Sequence, residues 1–243
     1  MKNMNQNEKA ILDFAKTRTN FSKSEVFAYL SNTTTISRSS LSWYLNILTK
    51  KQLLVRVGRG LYAITSKNIF VPTITDIIKK TYSLLKERFP FAKFCIYDGN
   101  IISPLQHHLS QNNIVYIETN REAVESVFHF LRDNNFLAYM RPSKEMIYHY
   151  IDLGEEAHFI KPLVSESPLQ TVQGIPSPTI EKLLIDIHKD KDFFYLQGSE
   201  SSYIMRNALQ KYAINENRLL RYAQRRGIKQ EMECAIKDKW NYD

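Results

Sequence analysis

Apolar positions recur at helical spacing from the start of the chain. Ile11, Phe14 and Ala15 share one face and predict a first helix over about residues 7–16. Ser22-x-x-Glu25 has the form of a capping box: the Ser22 oxygen accepts from the Glu25 N–H, the Glu25 carboxylate reaches back, and Phe21 staples onto Val26. A second helix therefore runs to about residue 30, with Val26, Phe27 and Leu30 inward. The polar run 31–35 breaks it, because Ser, Asn and Thr side chains compete for backbone hydrogen bonds. Leu41, Tyr44, Leu45 and Leu48 mark a third helix, from residue 37 or 38 to about 51. Its opposite face carries Ser39, Ser42, Trp43, Asn46 and Lys50, with Arg38 and Lys51 at its ends. Two β-favouring runs, 53–57 and 61–64, then flank Gly58-Arg59-Gly60, a hairpin signal with Arg56 and Arg59 on or beside its turn. Three helices and a basic-tipped hairpin make the winged helix-turn-helix plan.

The pattern changes after residue 70. Residues 65–72 show no apolar periodicity, end at Pro72 and read as a linker. A helix over 73–88, stopping before Pro90, is a candidate bridge rather than part of either core. Strands over 91–97, 114–117, 136–140 and 158–164 alternate with helices over 105–109, 123–131 and 143–150. Asp98-Gly99-Asn100 and Asp133-Asn134-Asn135 read as turns, and Pro162 demotes the last strand to a sheet edge. The final third is helical. Pro178 suits a first turn whose apolar face is Ile180, Leu183, Leu184 and Ile187, and helices over 199–212, 215–226 and 228–239 follow. The expected fold is α/β (α+β overall): a winged helix over residues 1–70, then a mixed α/β domain over 71–243 with a helical final third.

Charge sharpens this division. The 243 residues carry a net +8. Residues 1–70 hold eleven basic side chains against Glu8, Asp13 and Glu25, a surplus equal to that whole charge, while residues 71–243 hold 22 of each sign. Such asymmetry points to contact with nucleic acid or an anionic membrane surface by one end of the chain; the bland alternative is a solvated basic face. Small hydroxyls, an amide and basic ends suit a helix lying in a major groove, where hydroxyls and Asn reach base edges or phosphates and Lys neutralises phosphates. The expected DNA-binding residues are thus Arg38, Ser39, Ser42, Trp43, Asn46, Lys50, Lys51, Arg56 and Arg59. Trp43 is the misfit, read more readily as packing against the wing or a neighbouring domain than as a base contact.

Other chemistry is sparse. No apolar run reaches the roughly 18 residues of a membrane helix, no signal core follows the start, and Cys95 and Cys234 cannot form a disulfide framework, so a reducing, cytoplasmic setting is expected. His107-His108 lack the spacing of paired ligands on a helix, and phosphate-loop, dinucleotide and nucleophile-elbow motifs are absent. No cofactor, metal site or catalytic residue is therefore expected, and the chain does not read as an enzyme. One weaker alternative keeps Asp98 and Glu118, each just after a strand, as acids holding a metal for phosphodiester chemistry. Glu181 and Lys182 read as surface charges.

The run from Phe21 to Tyr62, with Trp43-Tyr44-Leu45 and Val55-Arg56-Val57-Gly58-Arg59-Gly60-Leu61-Tyr62, resembles the N-terminal domain of the AbiEi-type antitoxins of type IV toxin–antitoxin (abortive-infection) systems. The later part is similar to a subfamily seen in Bacteroides-type bacteria. Its stretches are Ile160-Lys161-Pro162-Leu163, Pro178-Thr179-Ile180-Glu181-Lys182-Leu183-Leu184-Ile185-Asp186 and Asn215-Glu216-Asn217-Arg218-Leu219-Leu220-Arg221-Tyr222-Ala223. The resemblance implies a winged helix that binds inverted repeats in the promoter of its own operon and represses it. It also implies a second domain that counters a nucleotidyltransferase-like toxin encoded next door without a stable complex, and no cofactor. The alternative is a plain DNA-binding regulator whose α/β domain senses a ligand or dimerises. Binding to inverted repeats works with a dimer or with two monomers side by side, so the oligomeric state stays open.

Overall fold

A computed structural model of the chain describes residues 5–18, 20–31, 36–65, 68–107 and 111–237. Residues 32–35 of the breaker run, His108 and the end of the helix expected over 228–239 lie outside the described residues, while Ser31 closes the second helix. The chain is mixed α and β with a helical C-terminal region, and it divides into two compact units.

The first unit comprises Met1–Ile69 and Lys211–Asn215. Its elements are α1 (Gln6–Lys16), β1 (Phe21–Ser22), α2 (Lys23–Ser31), α3 (Arg38–Lys50), β2 (Leu54–Gly58) and β3 (Leu61–Ile64). The Ser22–Glu25 capping box forms as expected: the Ser22 N–H donates to Glu25 Oε2 at 2.6 Å, and the Glu25 N–H donates to Ser22 Oγ at 3.2 Å. The Ser22 N–H, with the Ser22 hydroxyl as the smaller cause, holds the Glu25 carboxyl below its ordinary pKa. Ser37 caps α3 by accepting from the Ser40 N–H. One element went unforeseen. Phe21 and Ser22 form a strand that pairs with Tyr62 and Leu61, so the sheet order is β1-β3-β2. Ile11, Phe14, Phe21, Val26, Leu30, Leu41, Leu45, Leu48 and Leu54 form one core. This is the winged-helix architecture, with β2 and β3 as the wing. Asn68, expected in a structureless linker, exchanges backbone hydrogen bonds with Lys211 and Ala213.

The second unit comprises Phe70–Gln210 and Glu216–Asp243. It holds α4 (Asp76–Arg88), β4 (Phe94–Asp98), β5 (Val115–Thr119), α5 (Val124–Asp133), β6 (Ala138–Met140), α6 (Lys144–Tyr150) and β7 (His158–Pro162). Then come β8 (Leu169–Val172), β9 (Ile175–Pro178), α7 (Ile180–Lys189), α8 (Ser199–Lys211, its last residue in the first unit), α9 (Glu216–Arg226) and α10 (Lys229–Lys237). The main sheet has the order β4-β5-β7-β6, antiparallel between β4 and β5 and parallel elsewhere. Alternation along the strands gives it two unlike faces. Phe94, Ile96, Val115, Ile117 and Ile160 meet Ile74, Ile78 and Leu85 on and just before α4, and Val124, Val127 and Leu131 of α5. The helix over 76–88 therefore belongs to this core rather than bridging. Tyr97, Tyr116, Glu118, Phe159 and Lys161 occupy the other face.

Four expectations are corrected. β7 lies between β5 and β6, not at an edge. Its even-numbered residues face β6, with the His158 N–H donating to Leu137 O and Ile160 O accepting from the Arg141 N–H. The missing N–H of Pro162 thus falls beyond Met140, where β6 ends, and costs no ladder bond. Pro178 closes β9 rather than opening a helix, and Thr179 is the N-cap of α7. The β8–β9 hairpin itself was not expected; Gln173 and Gly174 both take positive φ (51° and 82°), as a two-residue type I′ turn requires. The short helix expected over 105–109 lies earlier, as a 3₁₀ segment over Gly99–Leu105 that replaces the expected turn. Gly99 has no room for a side chain there: a Cβ would fall 2.1 Å from Cγ of Asn112. Among the described residues no helix is long and apolar enough to cross a membrane.

Candidate nucleic-acid interface and a buried charge network

The burial of Leu41, Leu45 and Leu48 turns the opposite side of α3 outward. Arg38, Ser39, Ser42, Trp43, Asn46 and Lys50 are exposed there, and Lys51 follows just past its end. Several of these side chains already have partners within the unit. Lys51 binds both oxygens of the buried Glu8 carboxylate at 2.8 and 2.9 Å, and so is committed to α1 more than to an outside anion. Arg38 lies over the Phe27 ring at 5.2 Å. Ser42 bonds back to the Arg38 carbonyl and also accepts from Lys23, a residue of α2 that the sequence did not single out. On the wing, Arg56 donates through Nε to the Gly58 carbonyl at 3.2 Å, and Arg59 is exposed at the tip. Trp43, expected to pack, is 59% exposed, with its ring edge-on to Tyr44.

The sheet of the second unit brings together groups that the sequence kept apart. Glu118 on β5 accepts from Tyr97 on β4 at 3.1 Å and from Lys182 on α7 at 2.7 Å. Lys182 also bonds Asp186, one turn further along α7, and the Tyr222 hydroxyl of α9 donates to Asp186 at 2.9 Å. Lys161 on β7 donates to Asp190 at 2.9 Å and Asp192 at 2.8 Å, and lies 5.5 Å above the rings of both Tyr116 and Phe193. Arg226 of α9 reaches Asp186 at 3.6 Å and also pairs with Asp190. Seven charged side chains and two phenols thus form one chain of contacts on a single sheet face. Lys182, expected on the surface, is 1% exposed, and Glu181 beside it is buried against Arg218.

Burial disfavours a charged lysine, but the Asp186 and Glu118 carboxylates more than offset it and hold the Lys182 pKa well above the ordinary range. Lys161 is raised in the same way, its burial outweighed by the Tyr97 hydroxyl and by Asp192, Asp190 and Glu118. Both ammonium groups therefore stay charged and occupied. Every charge in the network has an opposite partner in contact, three cations against four carboxylates, and the network ties α7 and α9 to the sheet. Burial likewise pushes the Tyr97 and Tyr222 hydroxyls up.

Asp98 does not join it. The register pairs Asp98 with Val115 and Cys95 with Glu118, so the two acids lie three residues apart on opposite sheet faces. Asp98 instead accepts from Thr75 at 3.2 Å. Among the described residues no group of three His, Cys, Asp or Glu side chains is placed to hold a metal ion. Four of the five apolar residues of α7 (Ile180, Leu183, Leu184 and Ile187) share one stripe, an ordinary amphipathic pattern, so nothing local in the helix marks its charges as buried.

A family model described as a family of unknown function, DUF6577, matches residues 40–242. No curated protein matches the chain. Among solved structures, the crystal structure of RV2827C protein from Mycobacterium tuberculosis is similar with a TM-score of 0.33 and 12% identity, over 93% of this chain and 74% of that one.

Proposed function

We propose, for a chain that belongs to the DUF6577 family of unknown function, the role of a DNA-binding antitoxin. In this reading α3 lies in the major groove and the β2–β3 wing touches the backbone or the minor groove. The protein acts in the cytoplasm without catalysis, represses its own operon, and counters a nucleotidyltransferase-like toxin encoded beside it. The observation that carries the DNA half is the outward face of α3. Ser39, Ser42, Asn46 and Lys50 are exposed together on the unit that holds the chain's positive surplus. Hydroxyls and an amide can read base edges there while basic side chains neutralise phosphates. The antitoxin half rests on the resemblance of the wing and of three stretches in the second unit. Those stretches supply Lys161, Lys182, Asp186 and Tyr222 to the buried network.

The test has two arms. The full chain is mixed with the DNA upstream of its own gene and with unrelated duplex at matched salt, and tighter binding to the upstream DNA is expected. The neighbouring gene is then expressed alone, with the full chain, and with the Arg56→Ala, Arg59→Ala double variant. Rescue of growth by both forms, with loss of repression in the variant alone, is the expected result. Equal binding to both duplexes would remove the regulatory half. A toxic neighbour that the full chain cannot rescue would remove the antitoxin half.

A further inference from the structure

Trp43 is the large apolar side chain in the middle of an otherwise polar face. Ser39 and Asn46 lie one turn before and after it, and Ser42 sits beside it, all exposed. The indole is held in place. Its ring meets the Tyr44 ring edge-on, with centroids 5.0 Å apart and planes at 74°. Tyr44 is itself pinned, because its hydroxyl accepts from the side chains of Asn5 at 3.2 Å and Asn7 at 3.3 Å, at the N-terminus of α1. An exposed aromatic fixed by a second, anchored aromatic has lost much of its conformational freedom before any ligand arrives, which lowers the entropy cost of binding through it.

The chemistry of the indole narrows what it can meet. Its nitrogen only donates, and the rest of its surface is apolar. On the floor of the major groove the apolar group is the thymine 5-methyl, and the same base presents the O4 acceptor beside it. Guanine offers two acceptors and no methyl, and cytosine offers a donor, which the indole nitrogen cannot accept. We propose that Trp43 reads thymine in the major groove, laying its apolar face on the 5-methyl group and giving its N–H to an acceptor on that base edge. This rests on the assignment of α3 to the groove. It adds a base preference: the bound sequence carries a thymine opposite residue 43, within each half-site where the site is an inverted repeat.

Duplexes are selected from a randomised pool with the full chain, and each thymine of the selected sequence is replaced in turn by deoxyuridine, which removes the methyl and keeps O4. At one position per half-site the replacement should weaken binding about fourfold, the value of one buried methyl group. Trp43→Ala should bind weakly and be indifferent to the replacement at that position, whereas Trp43→Phe should keep part of the methyl sensitivity. Because the indole is exposed, both variants should melt as the parent does. Tolerance of deoxyuridine at every position overturns the proposal and leaves DNA binding standing, as does a Trp43→Ala variant that keeps the parent's sensitivity. A variant with unchanged DNA binding but altered self-association in sedimentation also overturns it, by turning the indole towards a second copy of the chain. Enrichment of no duplex at all removes the DNA reading and this inference together.

Discussion

The first unit carries a surplus of nine positive charges and displays basic groups on an exposed helix face and a wing tip, whereas the second is within one charge of neutral and encloses seven charged side chains under one face of its sheet. The contrast separates two uses of charge. An exposed cation in water contributes little to stability and keeps its field for a partner. A buried one is expensive to desolvate and survives only with partners in contact, so its field is spent inside the molecule. Glu8 and Lys51 show the same rule at small scale. One buried carboxylate in the basic unit takes up a lysine that the sequence would have assigned to DNA.

The largest effect should come from opening the network. Lys182→Met leaves Glu118 and Asp186 buried without their shared cation, a change that typically costs about 3–5 kcal/mol. Hydrogen exchange of the β5 and β7 amides under increasing denaturant reads the second unit alone, and should show their protection collapsing. Protection within a few tenths of a kcal/mol of the parent would mean that the charges are solvated, and the contrast between the units would fail.

A smaller effect should come from acid. His158 is 1% exposed on the apolar face of the sheet, 3.2 Å from the Thr81 hydroxyl, and burial lowers its pKa to about 4 from an ordinary 6.5. The unfolded chain therefore takes up this proton first as the pH falls. The stability contributed by the neutral ring is complete above pH 6.5 and declines to nothing near pH 4, about 3 kcal/mol in all. His158→Gln cannot titrate, so the same exchange measurement should show a flatter dependence between those limits. An unchanged slope would place the pH response elsewhere.

How far each unit could be read from sequence follows from the same contrast. The first unit is built from local signals: the Ser22–Glu25 box, the stripe of Leu41, Leu45 and Leu48, and a glycine-bracketed turn. Each acts over a few residues, so the winged helix was legible apart from β1, whose two residues pair only because Tyr62 is brought beside Phe21. The second unit depends on long-range pairing. Glu118 and Lys182 are 64 residues apart, and neither carries a mark of burial in its own neighbourhood. Pro162 misled for a related reason. Its missing donor matters only relative to where β6 ends, and no local pattern contains that fact. Trp43 misled in the opposite direction, since an aromatic ring on a helix is commonly core, and here the core was already filled by the leucines on the other side.

The smallest effect on stability should accompany a clear effect on binding, and that dissociation is the sharpest form of the contrast. Arg56 and Arg59 are exposed on the wing, so Arg56→Ala with Arg59→Ala should leave the melting curve nearly where it was. If each side chain contacts phosphate, the pair releases about two counterions on binding, and the slope of log affinity against log salt should flatten by roughly 1.8. Lys51→Ala is the internal control. Its ammonium is held by Glu8, so it should shift the melt more than either wing arginine and the salt slope less. A slope that Lys51→Ala changes and the wing pair does not would move the phosphate contacts to the end of α3, and would make the Glu8 pair a contact that yields when DNA binds.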